Sequence, residues 1–154
     1  GFVNKLAEIC RRYNVPPEVF EIEITESAAF ENLDVLERVF RELKEFGFHI
    51  SIDDFGTGYS SLNMLKNLPV DVLKIDREFL SGAEENKRAC DIIAHVISLA
   101  VALNMKTISE GIETEEQAQL LTKLGCNMAQ GFYFAKPVPV EEFEKRAYGG
   151  AERT

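Results

Sequence analysis

Apolar positions along the chain switch between a spacing of three to four and a spacing of two, and each switch marks a change of element. Phe2, Leu6, Ile9, Cys10 and Tyr13 recur at helical spacing, with Lys5, Glu8, Arg11 and Arg12 on the other side. Asn14-Val-Pro-Pro17 stops that helix, because proline lacks an N–H and disfavours helix in the residue before it. Residues 20–25 alternate apolar and polar, the period of a strand. Leu36, Val39, Phe40, Leu43 and Phe46 restore the helical stripe, and Gly47 stands where a left-handed residue closes a helix. Residues 48–55 predict a second strand, followed by the glycine-rich Gly56-Thr-Gly58.

The alternation continues to the end of the chain. A short helix over 60–68 leads through Pro69 to a strand over 72–76. A long helix follows, with Ile92, Ile93, Val96, Ile97, Ala100 and Leu103 on its apolar stripe. Residues 105–109 predict a strand, and Thr114-Glu-Glu-Gln117 has the spacing of a capping box for a helix ending at Gly125. Residues 128–134 predict the last strand, and a proline-flanked helix starts near Val140. Residues 149–154 carry no pattern and are expected to fray, leaving 1–148 as the folded unit.

Strand–helix–strand alternation means parallel strands joined by right-handed crossovers, so the fold class is α/β. Polar residues fall at the carboxyl ends of the strands: Glu23, Asp53, Lys74, Glu110 and Gln130, on average about 27 residues apart. A barrel of eight βα units in about 250 residues repeats every 31 or so, which this spacing approaches. The predicted architecture is therefore a parallel βα-barrel of the TIM-like kind, incomplete at about five units.

Charge narrows the partners. Lys and Arg total 17 against 26 Asp and Glu, a formal net charge of −9. A surface for DNA or long RNA needs the opposite sign. A small anionic substrate remains compatible, provided metal ions neutralise the local carboxylates. No apolar run approaches the 20 or so residues of a membrane span, and no secretory leader opens the chain. Cys10, Cys90 and Cys126 are far apart and lack CxxC spacing, which predicts buried reduced thiols and a cytoplasmic setting. Gly1 is not an initiator methionine, so the chain reads as an excised piece.

Asp53-Asp54 closes the second strand. Neighbouring strand residues point to opposite faces, so the two carboxylates can converge only where strand gives way to loop. There they would suit two divalent ions with a preference for hard oxygen ligands; alternatively they are a helix cap and a solvated acid. Glu23 and Glu26 are read as ending one strand and Glu110 and Glu113 a later one, at the same three-residue offset. Lys74 lies among Val72, Leu73 and Ile75 in a strand that should be buried, where it needs carboxylate partners or a catalytic purpose. Asp71 and Asp76 flank that strand and are read as turn caps. His49 and His95 lack ligand spacing, and Tyr133 and Phe134, which could stack on a base, are assigned to the core as aromatics of a terminal strand. The Asp-Phe-Gly of protein kinases is set aside, because the chain has neither a GxGxxG loop nor an HRD-type loop.

Taken in order, Glu23-Ile-Thr-Glu26, Asp53-Asp-Phe-Gly-Thr-Gly-Tyr-Ser-Ser-Leu62, Pro69-Val-Asp-Val-Leu-Lys-Ile-Asp76, Glu110-Gly-Ile-Glu113 and Gln130-Gly131 resemble the EAL domain family, bacterial cyclic-di-GMP phosphodiesterases on a βα-barrel. The resemblance runs from the first helix to Pro137. It implies two ions, Mg²⁺ or Mn²⁺, held by Glu23, Asp53, Asp54 and Glu110, with Lys74 orienting the attacking water. Glu110 would also help activate that water, and Gln130 would hydrogen-bond in the same pocket. Glu26 and Glu113 would be supporting carboxylates, Glu26 anchoring the loop that carries Gly56 and Gly58. The substrate implied is cyclic di-GMP and the product the linear pGpG.

The family's Glu-Ala-Leu motif and its Asn-bearing strand are absent from these residues. The expectation is thus a C-terminal portion of such an enzyme, weak or inactive alone, whose parent could carry an upstream sensory or GGDEF-type domain and be tethered to a membrane. A partial parallel sheet leaves open edges, so a homo-oligomer is expected, in line with dimerisation in the family. The competing reading is a non-catalytic module that binds cyclic di-GMP or a protein.

Overall fold

The computed structural model describes residues 1–31, 33–56, 62–83 and 86–149. Its framework is a single sheet of five strands in the order β1-β2-β3-β4-β5, every neighbouring pair parallel. The strands are β1 (Glu21–Thr25), β2 (His49–Phe55), β3 (Val72–Ile75), β4 (Lys106–Ser109) and β5 (Met128–Ala129). Around them run α1 (Phe2–Tyr13), α2 (Glu26–Glu31), α3 (Leu33–Glu45), α4 (Leu62–Asn67), α5 (Arg77–Leu80), α6 (Lys87–Ala102), α7 (Glu115–Leu124) and α8 (Val140–Tyr148). Among the described residues the sheet does not close on itself: β1 and β5 are each paired on one side only.

Strand alternation divides the sheet into two faces. Ile50, Ile52 and Leu73 lie in a core with Phe40 and Leu43 of α3 and Met64 and Leu65 of α4. Ile75 belongs to a second core with Ile93 and Ile97 of α6 and Leu121 of α7. The intervening positions, Glu23, Ser51, Asp53 and Lys74, face the other way, into what a closed sheet would make its interior.

Local signals explain most boundaries. Asn14 closes α1 at φ 52°, and Gly125 closes α7 at φ 81°. Thr114 and Gln117 form the reciprocal capping box expected of their spacing. Asn86 caps α6 by accepting from the amides of Arg88 and Ala89.

Several expectations need correction. The last strand ends at Ala129, because the next residues pair with the backbone of Ile112: its amide donates to Gln130 O at 3.1 Å and its carbonyl accepts from Tyr133 N at 2.9 Å. Phe132, Tyr133 and Phe134 are consequently exposed rather than core. The stripe on α1 is Val3, Ala7 and Cys10, with Phe2, Ile9 and Tyr13 exposed; on α6, Ile92 and Leu103 lie outside the buried line of Ile93, Ile97 and Ala100. Of the cysteines only Cys10 is buried; Cys90 and Cys126 are half-buried, and all three are free thiols. Short helices α2 and α5 stand where the periodicity shows nothing. The expected tail lies beyond the described residues apart from Gly149. Among the described residues no helix is long and apolar enough to cross a membrane.

Candidate active site

Each of the five strands brings one polar side chain to the same end of the sheet: Glu23 within β1, Asp53 within β2, Lys74 within β3, and Glu110 and Gln130 immediately after β4 and β5. Lys74 is the centre. Its Nζ lies 2.9 Å from Glu110 Oε1, 3.0 Å from Glu23 Oε1 and 3.2 Å from Asp53 Oδ1. Gln130 Nε2 donates to Glu110 Oε1 at 2.7 Å, tying the fifth strand to the fourth. Lys74 is 7% exposed. Burial alone would pull its pKa down, but hydrogen bonds to Glu110, Glu23 and Asp53 outweigh that, and the net shift is upward. The lysine is therefore a fixed cation at neutral pH, able to donate protons in hydrogen bonds and unable to serve as a base.

Asp53 and Asp54 differ from the expectation in standing within the strand rather than at its passage into the loop. The strand continues through both to Phe55, and its register against β3 shifts between Ile52 and Phe55. Asp54 takes φ 57°, a left-handed backbone that aspartate tolerates better than most residues, and its amide donates to Asp53 Oδ1 at 3.0 Å. A β-bulge thus breaks the strict alternation within the strand. Gly56 follows at φ 103°, with its Cα side against Phe79, where an added Cβ would lie 2.5 Å from the ring.

Glu26 begins α2 rather than ending the strand, and is 4% exposed. Its Oε2 accepts from Gly56 N at 3.0 Å, so it holds the start of the loop after β2. Gly58 lies outside the described residues. Glu113 stands apart from the lysine cluster: it pairs with Arg77 at 2.8 Å, both exposed. Sequence reasoning misses Arg77, since nothing in its surroundings along the chain marks it. Together with Glu110, Gln130, Phe132 and Lys136 that pair lines a groove of about 440 Å³ beside the cluster, and Lys136 Nζ lies 5.7 Å from the Phe132 ring centre.

The donor set is one of hard carboxylate oxygens without thiol or imidazole, which by its chemistry suits Mg²⁺ or Mn²⁺. In the observed geometry these oxygens converge on Lys74, and among the described residues no three His, Cys, Asp or Glu side chains are grouped to hold an ion.

Similarity to known proteins agrees with this geometry. The family model described as the EAL domain matches residues 1–137. The chain is 41% identical over 142 residues to the bifunctional diguanylate cyclase/cyclic di-GMP phosphodiesterase MucR of Pseudomonas aeruginosa, covering 92% of this chain and 21% of that protein. It is 35% identical over 140 residues to the cyclic di-GMP phosphodiesterase PdeR of Escherichia coli, covering 91% and 21%. The chain thus spans about a fifth of the length of these relatives. Among solved structures, the EAL domain of Mycobacterium smegmatis DcpA superimposes with a TM-score of 0.89 at 39% identity, covering 97% of this chain and 67% of that one. The PaMucR phosphodiesterase in complex with c-di-GMP gives 0.86 at 40% identity, covering 93% and 58%.

Proposed function

This chain belongs to the EAL domain family, and from that premise we propose that its lysine–carboxylate cluster is the C-terminal part of a site for hydrolysing cyclic di-GMP to pGpG. The observation that supports this most is the convergence on Lys74 of acids from three different strands, with Gln130 completing the row. A merely structural lysine is neutralised by one carboxylate; three at 2.9 to 3.2 Å leave the cluster with a net negative charge that a further cation would offset.

In the reaction, a water oxygen forms a bond to phosphorus, the bond from phosphorus to the ribose oxygen breaks, and that oxygen takes up a proton. Lys74, kept charged by its partners, orients the water by donating to it. Glu110 accepts the water's proton, and Gln130 fixes the carboxylate that does so. Glu26 anchors the loop entered at Gly56. Glu23, Asp53, Asp54 and Glu110 are the residues that would hold divalent ions, which when bound neutralise phosphoryl oxygens and lower the pKa of water. Glu113, paired with Arg77, supports the rim of the adjoining groove.

A second reading, a module that binds cyclic di-GMP without turnover, is favoured by the position of Lys74, whose Nζ occupies the point on which the three carboxylates converge. One experiment separates them: incubation of this chain with cyclic di-GMP and Mg²⁺ or Mn²⁺, with pGpG followed by chromatography and binding by calorimetry. Slow metal-dependent pGpG formation supports the first reading; binding without product supports the second; neither binding nor product overturns both.

A further inference from the structure

Asp71 and Asn127 stand at the opposite end of the sheet from the cluster, just before β3 and β5. Asp71 does far more than cap a turn. Its carboxylate accepts from Lys44 Nζ of α3 at 2.6 and 2.8 Å and from Ile50 N of β2 at 2.8 Å. Its backbone N–H donates to Ile50 O at 2.9 Å, and its carbonyl accepts from Lys106 N of β4 at 2.8 Å. One residue thereby joins the start of β3 to both neighbouring strands and to a helix.

Asn127 repeats the device. Its Oδ1 accepts from Thr107 N at 2.8 Å and from Thr107 Oγ1 at 3.2 Å, while Thr107 Oγ1 accepts from Asn127 N at 3.2 Å. In both cases the residue three places further on belongs to the cluster: Lys74 after Asp71, Gln130 after Asn127. The ladder is short at β5: two paired positions, one of them the exposed Met128, and beyond them a single bond from Gln130 N to Ser109 O at 2.9 Å. Register is weakly specified in a strand so short, and a one-residue slip moves every side chain to the other face.

We infer that Asp71 and Asn127 are positioning residues that fix the height of β3 and β5 along the sheet, so that Lys74 and Gln130 arrive level with the carboxylates they meet. The catalytic consequence rests on the reading given above, but the positioning itself is a matter of geometry and is measured without substrate.

The test is nuclear magnetic resonance on the whole chain, reading the Overhauser signal between the Gln130 side-chain amide and the Glu110 methylene protons. Asn127→Ala removes the acceptor and is expected to abolish that signal, while the amide protection of α7 and of β3 stays as in the parent chain. Asn127→Asp keeps an acceptor oxygen and is expected to restore it. Asp71→Ala should likewise abolish the signal between the Lys74 side chain and Glu110, and Asp71→Asn, which still accepts from Ile50 N, should retain it. Should Asn127→Ala fail to fold, Thr107→Val takes its place, since it removes two of the three bonds and keeps the side chain's shape. An undiminished Gln130–Glu110 signal in folded Asn127→Ala, or in Thr107→Val where that takes its place, would overturn the inference, and so would a signal that Asn127→Asp fails to restore. Because no nucleotide is present, absence of hydrolysis by the chain leaves this result standing, and the reverse holds equally.

Discussion

Replacing Lys74 with methionine keeps most of the side chain's length and removes its charge, which leaves Glu23, Asp53 and Glu110 facing one another without a cation. Breaking a fully buried ion pair from one side costs about 3–5 kcal/mol. Here the acids are half to three-quarters covered, with side-chain exposures of 50%, 23% and 24%, so water screens part of the repulsion. The expected loss is about 1–3 kcal/mol at pH 7 and low salt. Urea denaturation followed by circular dichroism should show it as a midpoint lower by about 1 M, for a slope of about 1–3 kcal/mol per molar. The pH dependence fixes the cause. The folded-state pKa of Lys74 is raised, so its contribution is fully present below the ordinary lysine value of about 10.4 and is lost only as pH climbs through the folded value. The gap between parent and variant should therefore be flat across neutral pH and shrink only at strongly alkaline pH, where the lysine loses its proton. Equal stability at pH 7, or a gap that already shrinks between about pH 7 and 9, would refute the reasoning.

Other outcomes follow from single contacts. Gly131→Ala places a Cβ 2.2 Å from the backbone N and O of Ile112, and is expected to cost at least about 1–3 kcal/mol and to disturb Gln130, read by thermal melting. Thr114→Ala removes half the capping box and should lower stability by about 1 kcal/mol, a fall of roughly 2–4 °C in Tm. The unpaired sides of β1 and β5 predict self-association, so light scattering on the purified chain should give a mass above 17.4 kDa; a monodisperse monomer would show that the edges are tolerated.

How much of this is legible in the sequence depends on whether the signal is local. Residues 20–25 and 72–76 announce strands because alternation and a β-branched apolar run are properties of the segment alone. Lys74 stands out for the same reason, as a charge inside such a run. The end of β5 is hidden, since Phe132 to Phe134 read as strand and only the pairing of Gln130 and Tyr133 with Ile112 turns the chain away. The bulge at Asp54 is equally unreadable, because aspartate accepts extended and left-handed backbone alike. Asp71 is visible as a turn residue but its reach is not: its partners Lys44 and Ile50 lie more than twenty residues away in sequence.

The left-handed backbone at Asp54 has a consequence for anyone dissecting the cluster by mutagenesis. A position at φ 57° is open to glycine, asparagine and aspartate and strains nearly everything else. An alanine scan therefore confounds two effects here, loss of a carboxylate and loss of a permitted conformation, and would overstate the acid's part. Asparagine removes the charge while keeping the backbone, and glycine removes the side chain while keeping it too. The pair read side by side separates electrostatics from shape.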